Sequence, residues 1–248
     1  MSVVVIGDQA VGKTRMGLAL AEPNKHKDVK VLEPDYETLY DQLVNPEKDD
    51  TTPSQSNGVV PRSFTLLVNL RGGPKIINTT WIDTFGELFN EEWQKERPSS
   101  WQDFQKQTLS QSQGIILLLN PWKEILSQRL IDQTEPIFKS DLANLDNANK
   151  WMTTFSNWLN FLSEEQFNRV NHIAICLNKA DLCWDLAKTD KNNPEKYFEI
   201  AKSQINDFKK HRLKIHSLEP YFFITTVKNR DLLEAPWLHL APYIYHNN

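Results

Sequence analysis

Residues 7–14 have the residue types and spacing of a phosphate-binding loop. The run reads GDQAVGKT and matches G-x-x-x-x-G-K-[ST] at every fixed position. In such a loop the backbone N–H groups and the start of the next helix surround a polyphosphate. The ammonium group of Lys13 would neutralise the β- and γ-phosphates, and the Thr14 hydroxyl would bind Mg²⁺. The candidate nucleotide ligands in this run are Gly7, Asp8, Gln9, Ala10, Val11, Gly12, Lys13 and Thr14.

A second set of candidates lies in the run DTFG at residues 83–86. Asp83 would reach Mg²⁺ through a water molecule, and the Gly86 amide would sense the γ-phosphate. A strand-ending aspartate is also a common turn residue, which is the alternative interpretation. Because Asp83 follows a predicted hairpin that comes after the phosphate-binding loop, its position favours the metal-site interpretation.

A third set lies in the run NKAD at residues 178–181. The carboxylate of Asp181 can accept hydrogen bonds from N1–H and N2–H of guanine, a donor pair that adenine lacks. The stem of Lys179 would cover the plane of the base, and Asn178 would tie this loop back to the phosphate-binding loop. The tetrapeptide alone is a weak pattern, but its order after the other two motifs predicts a guanine site.

Each set of candidates follows a segment with the pattern of a strand. Residues 3–6 are a continuous apolar run, and the predicted strand at 114–120 holds a second one at 115–119, a pattern typical of strands buried on both faces. Further strands are predicted at 64–71, 75–83, 172–177 and 221–226, with a hairpin turn at residues 72–74. Helices are predicted at 13–21, after Asp35, at 195–213 and around a stripe formed by Trp151, Phe155, Trp158, Leu159 and Leu162. This alternation predicts a doubly wound, mostly parallel α/β sheet with one antiparallel strand and helices on both faces.

The composition narrows the possible partners. The chain has 248 residues and a net charge of −4, so it has no overall positive field and we expect no nucleic-acid partner. No apolar run reaches the roughly 20 residues that a membrane span needs, and the final residues carry no prenylation motif. Two cysteines supply neither a disulfide framework nor a zinc site. We therefore expect one cytoplasmic domain over residues 1–248, without a membrane anchor.

With the three motifs in this order, the chain resembles a Ras-like small GTPase of the translation-factor-related class, and resembles stand-alone bacterial G domains of similar size. The resemblance covers residues 2–228, with added length near the middle. It implies a GTPase that binds GTP or GDP with Mg²⁺, switches between two conformations and contacts a protein effector or regulator. It also implies a backbone amide to guanine O6 from Thr226, Val227 and Lys228, where Val227 replaces the usual small residue.

The chain departs from this family at the positions that control hydrolysis. The switch loops should lie at about 45–61 and 84–100, and Thr52 is preferred over Thr51 as the metal-binding threonine of the first loop. Glu87 stands where Ras-like proteins usually carry the glutamine that orients water, and a carboxylate cannot donate as an amide can. Gln9 replaces a glycine and would obstruct an arginine supplied by a partner. The candidate catalytic residues are therefore Lys13, Gly86 and Glu87, and we expect slow turnover without a partner.

The chain also departs from the family in length. Residues 121–171 exceed one crossover helix and carry Trp122, Trp151 and Trp158, which predicts an enlarged helical layer. These tryptophans either fill the core or form an exposed aromatic site for a partner. In the short tail, 229–248, Pro236 and Pro242 should shorten or break the closing helix.

Three functions stay open on the residues alone. The first is a GTPase switch, and the second is a GTP-binding interaction module or scaffold with negligible hydrolysis, which Glu87 and Gln9 favour. The third is an ATP-dependent kinase or ATPase, which would leave Asp181 without a role.

Overall fold

In a computed structural model, the chain folds around a seven-stranded sheet. The structure describes residues 2–8, 11–23, 27–44, 60–83, 95, 99, 102, 112–133, 142, 145–162, 170–183 and 220–244. The strands are β1 (Ser2–Gly7), β2 (Val29–Glu33), β3 (Val60–Leu70), β4 (Gly73–Asp83), β5 (Ser112–Leu119), β6 (His172–Leu177) and β7 (Tyr221–Ile224). The helices are α1 (Lys13–Ala21), α2 (Tyr36–Val44), α3 (Gln128–Asp132), α4 (Ala148–Leu162) and α5 (Arg230–Leu240), with short 3₁₀ turns at Lys123–Ile125 and Ala180–Leu182.

The strand order is β2-β3-β4-β1-β5-β6-β7. β1 pairs in parallel with β4 and β5, and β6 pairs in parallel with β5 and β7. β3 runs antiparallel to both of its neighbours. The predicted mostly parallel α/β sheet with one antiparallel strand is therefore confirmed. The carboxyl ends of the six other strands lie at one edge of the sheet.

The central strand β1 is buried on both faces, because successive side chains of a strand point to opposite sides. Val4 and Ile6 pack in the core layer that contains α4, and Val3 and Val5 pack in the layer that contains α1 and α5. All four side chains have no exposed surface. The continuous apolar run in the sequence thus reflects a strand between two helical layers.

The enlarged segment contributes the aromatic part of the first layer. The predicted stripe lies on α4, and each of its five members is buried against the sheet. Trp122 is also buried, and its ring lies 4.9 Å from that of Trp151, centroid to centroid. The three tryptophans of this segment therefore belong to the core, and the alternative of an exposed aromatic site is wrong for them.

The hairpin and the edge of the sheet differ from the prediction. β3 begins at Val60 rather than at residue 64, and it pairs with β4 along its full length. The turn consists of Arg71 and Gly72, because Leu70 pairs with Gly73, and Pro74 lies within β4. β2 was not predicted. Only two of the five side chains in its sequence VKVLE are buried, so the strand lacks the longer apolar run that marks the central strands. Residues 45–59 of the first predicted switch loop and the helix at 195–213 lie outside the described residues.

The closing helix α5 is shortened but unbroken. It has 11 residues and contains Pro236, and the Asn229 side chain caps it by accepting a hydrogen bond from the Leu232 backbone N–H. Trp237 is fully buried and stacks on Trp81 with ring centroids 6.0 Å apart. Of the helices that the structure describes, none has the length and apolar character to cross a membrane.

A buried carboxylate attaches α5 to the start of β2. Glu234 is 1% exposed and accepts from the backbone N–H groups of Lys27, Asp28 and Val29. Arg230 forms an ion pair with the same carboxylate. The Arg230 guanidinium also donates to backbone carbonyls of α1 and β2, at Ala19, Leu20 and Val29. This ion pair joins three elements on one face of the sheet.

We expect Glu234→Gln to lower the free energy of unfolding by about 3–5 kcal/mol, because it leaves the Arg230 charge without its partner. Urea unfolding measures the loss. The matched control is Asp231→Asn, which removes an acidic partner of Lys27 at the exposed surface of the same helix and should have little effect. Equal destabilisation by the two variants would contradict the importance of the buried pair.

Candidate nucleotide-binding site

The predicted site residues converge at the carboxyl edge of the sheet. β1 ends at Gly7, β4 at Asp83, β6 at Leu177 and β7 at Ile224, and a candidate segment follows or ends each of them. β1 lies where the strand order changes direction, between β4 and β5. In open α/β sheets this position forms a crevice in which ligands bind.

Both fixed glycines of the phosphate-binding loop are required by geometry. Gly12 has a φ of 93°, and a Cβ atom there would lie 2.9 Å from Nδ2 of Asn178. A Cβ atom at Gly7 would lie 2.3 Å from the backbone oxygen of Leu118. Gly12 precedes α1, whose first turn carries no acidic residue and no side-chain cap. The partial positive charge of this helix start therefore faces the loop.

Lys13 lies across the loop. It is 5% exposed, and its Nζ donates to the backbone oxygens of Gly7 at 2.7 Å and Asp8 at 2.8 Å. The ammonium group is therefore held at the start of the loop, where a phosphate oxygen could replace either carbonyl as its acceptor.

Asn178 joins the phosphate-binding loop to the segment after β7. Its Nδ2 donates to the Val11 backbone oxygen at 2.7 Å, and its Oδ1 accepts from the Thr225 hydroxyl at 3.1 Å. Asn178 is 4% exposed, so both bonds lie in the protein interior. The tie between residue 178 and the phosphate-binding loop that the sequence predicted is present.

The two segments predicted to bind the base lie together. Asp181 Oδ1 accepts from the Thr226 hydroxyl at 2.6 Å, and Oδ2 lies 3.2 Å from Nζ of Lys228. The Lys228 backbone N–H also donates to the Thr226 hydroxyl. Lys179 has a φ of 59°, in the left-handed region, at the turn between β6 and Asp181. β7 ends two residues before its predicted end, which releases Thr225 and Thr226 into this loop.

Sequence reasoning did not single out Arg62. It lines a cavity beside Lys13 and Thr14, together with Gly17, Phe64, Trp81 and Ile82. Its Nε is buried and has no hydrogen-bond partner. The alternation along β3 places Arg62 on the same face as buried Phe64, which was the available sign in the sequence. An anionic group in this cavity would satisfy the guanidinium.

Trp158 lies in the core, and its indole N–H also makes a polar contact. Its Nε1 donates to Oδ1 of Asp8 at 2.8 Å, so α4 touches the phosphate-binding loop. Burial raises the pKa of the Asp8 carboxyl, while the Trp158 hydrogen bond and the charge of Lys13 act in the opposite direction.

The two cysteines lie on either side of the run 178–181. Cys176 is buried in β6, and Cys183 directly follows the 3₁₀ turn that contains Asp181. Burial raises the pKa of both thiols well above its usual value, and the charge of Asp181 adds to the rise at Cys183. Both cysteines are therefore neutral thiols at pH 7.

Some predicted site residues fall outside the described part of the chain. They are Gln9, Ala10, Thr52, Gly86 and Glu87. The backbone of Asp83 ends β4 beside β1, but its side chain is not among those described. The roles assigned to these residues stay predictions.

Comparison with known protein families found a match to one of them. The family model for Double-GTPase 1 matches residues 4–208, which include the phosphate-binding loop, Asp83 and the run 178–181. No curated protein matches the chain. The match therefore agrees with the order of motifs at the sheet edge.

We expect Gly12→Ala to weaken GDP binding about tenfold or more, because a side chain at a φ of 93° is strained and presses on Asn178. Titration calorimetry measures the loss. Gly72→Ala, in the turn between β3 and β4, is the control: a Cβ atom there would meet nothing within 4 Å. This control should keep GDP affinity and gain roughly 0.4–1 kcal/mol of stability. Wild-type affinity in Gly12→Ala would contradict the proposed loop geometry.

Proposed function

The chain belongs to the Double-GTPase 1 family, and we propose that it is a Ras-like switch that binds GTP or GDP with Mg²⁺ and hydrolyses GTP. One observation carries the proposal: three segments with separate chemistry meet at one sheet edge, and Asn178, which belongs to one of them, contacts the other two. The phosphate-binding loop, the run 178–181 and the loop at 225–228 would together bind the phosphates and the base of a guanine nucleotide.

The phosphates would lie against the start of α1. Backbone N–H groups of the loop and the helix would donate to them, and Lys13 would exchange its carbonyl acceptors for phosphate oxygens. The unpartnered Nε of Arg62, beside Thr14, supports an anion in this region. The net charge of −4 does not oppose this, because the loop supplies its own positive field.

The base would lie against Asp181. The Thr226 hydroxyl fixes one oxygen of the carboxylate and Lys228 lies near the other, so the side chain is oriented before a base arrives. Guanine N1–H and N2–H would donate to this carboxylate, the backbone amide of Val227 would donate to O6, and the stem of Lys179 would cover the ring. Adenine offers no matching donors, which gives the site its selectivity.

Residues at the start of α1 and the end of β4 would suit a divalent cation. Thr14 supplies a hydroxyl, Asp83 ends the strand beside β1, and Thr52 of the first switch loop would add a further oxygen. Hydroxyl and carboxylate oxygens together with phosphate oxygens are the ligands that Mg²⁺ prefers. When bound, Mg²⁺ neutralises charge on the β- and γ-phosphates.

Hydrolysis would depend on Lys13, on the Gly86 amide and on Glu87, which stands where Ras-like proteins usually carry a glutamine. A carboxylate at Glu87 accepts but does not donate, so it cannot orient water and stabilise the γ-phosphate as an amide does. We infer slow intrinsic turnover, and a protein partner that either supplies the missing group or responds to the bound nucleotide. The alternative is a GTP-bound interaction module with negligible hydrolysis, which Glu87 and Gln9 favour.

We expect Asp181→Asn to weaken GTP binding on the order of 10²- to 10⁴-fold, because two hydrogen bonds to a charged acceptor are lost. The same variant should prefer xanthosine triphosphate, whose 2-oxo group can accept from the new amide. Competition against a fluorescent nucleotide measures both affinities. The matched control is Asp28→Asn, just before β2 and at the far edge of the sheet, which should change neither. Unchanged GTP affinity in Asp181→Asn would exclude the base assignment.

Multiple-turnover phosphate release with Mg²⁺ separates the switch from the scaffold. We expect slow, sustained release that disappears in Lys13→Ala, and faster release in Glu87→Gln because the amide can donate to the γ-phosphate. Tight GTP binding without release in the wild-type chain would support the interaction module instead.

A further inference from the structure

Trp158 makes a directed contact with the phosphate-binding loop from outside the nucleotide motifs. The residue is fully buried in α4, and its indole N–H donates to Asp8 Oδ1 at 2.8 Å across 150 positions of sequence. Asp8 is the second residue of the loop, and its own backbone oxygen accepts from Lys13. The side chain of Asp8 is therefore attached to α4, while its backbone is attached to the phosphate-binding lysine.

The position of Asp8 makes its orientation important. Its backbone belongs to a loop that would surround a polyphosphate, so a carboxylate turned into that loop would repel the ligand. The indole ring of Trp158 has one N–H donor and no acceptor, so it holds the carboxylate in one direction. Two further charged groups act on Asp8: Lys13, which favours the ionised form, and Asp146, which disfavours it.

We propose that Trp158 is a positioning residue of the nucleotide site, which holds the Asp8 carboxylate on α4 and out of the space that the phosphates occupy. This inference rests on the proposed function. It deepens that function by assigning α4, part of the enlarged segment 121–171, to the control of nucleotide affinity.

The packing of α4 suits this role. The Trp158 ring makes an edge-to-face contact with Phe161 at a centroid distance of 5.8 Å. About two turns toward the start of the helix, Trp151 stacks on Phe155, and its Nε1 donates to the Asn120 backbone oxygen at 2.7 Å. The helix is thus fixed to the sheet at both ends of the stripe, and the indole N–H of Trp158 is presented to Asp8 in a defined place.

The test is Trp158→Phe, which keeps an aromatic ring and removes the donor. We expect GDP affinity at pH 7.5 to fall about tenfold, the size of one lost hydrogen bond to a charged group. The loss should shrink as the pH is lowered toward 5, because a protonated Asp8 no longer repels phosphate. Trp151→Phe is the matched control: it removes an indole bond to a neutral carbonyl on the same helix and should stay within about twofold of wild type at each pH.

A second substitution separates positioning from packing. Asp8→Asn in the Trp158→Phe background should restore most of the lost affinity, because the amide carries no charge. We expect the GDP affinity of the wild-type chain to rise slightly as the pH falls toward 5, because the Asp8 charge still acts on the phosphates at longer range. Asp8→Asn alone should lose this rise, which tests the same contact if Trp158→Phe does not fold. A pH-independent loss that Asp8→Asn does not restore, or wild-type affinity in Trp158→Phe, would overturn the inference. A wild-type chain that binds no guanine nucleotide would instead overturn the proposed function.

Discussion

The site depends on the pair of hydrogen bonds made by the Asn178 side chain. One amide, buried after β6, donates to the Val11 carbonyl in the loop after β1 and accepts from Thr225 after β7. Segments that are far apart in sequence are held together by a residue with both a donor and an acceptor, which is what an asparagine side chain supplies. The same amide closes the space above Gly12, so the loop can approach it only without a side chain.

The two core layers contribute different contacts to the loop that follows β1. The layer with α1 and α5 carries the helix start that faces the loop, and the buried Arg230–Glu234 pair attaches it to the edge strand β2. The layer with α4 carries the Asp8–Trp158 contact. β1 lies between them with both faces buried, so both layers pack against the strand that ends at Gly7.

Local patterns predicted much of this arrangement. The continuous apolar runs at 3–6 and 115–119 mark β1 and β5, and the α4 stripe marks the buried face of its helix, because burial demands a repeat of apolar residues. Asp35 caps α2 by accepting from the Thr38 backbone N–H, and that bond lowers the pKa of its carboxyl. β2 escaped prediction, because an edge strand of five residues with two buried side chains is stabilised mainly by its pairing with β3.

The sequence by itself determined which motifs are present, each after a strand pattern: the run 7–14, which predicts a phosphate-binding loop, Asp83, which we propose as a metal ligand, and the run 178–181, which we propose selects guanine. Those features are local: the residues of each motif are close together in the sequence, so their spacing along the chain largely fixes their arrangement in space. Only the tertiary structure decided that Trp158 contacts Asp8, that Arg62 reaches the cavity beside Thr14, and that Glu234 accepts from three backbone amides of a distant segment. These contacts join residues brought together by packing, and no periodicity along the chain encodes such a pairing.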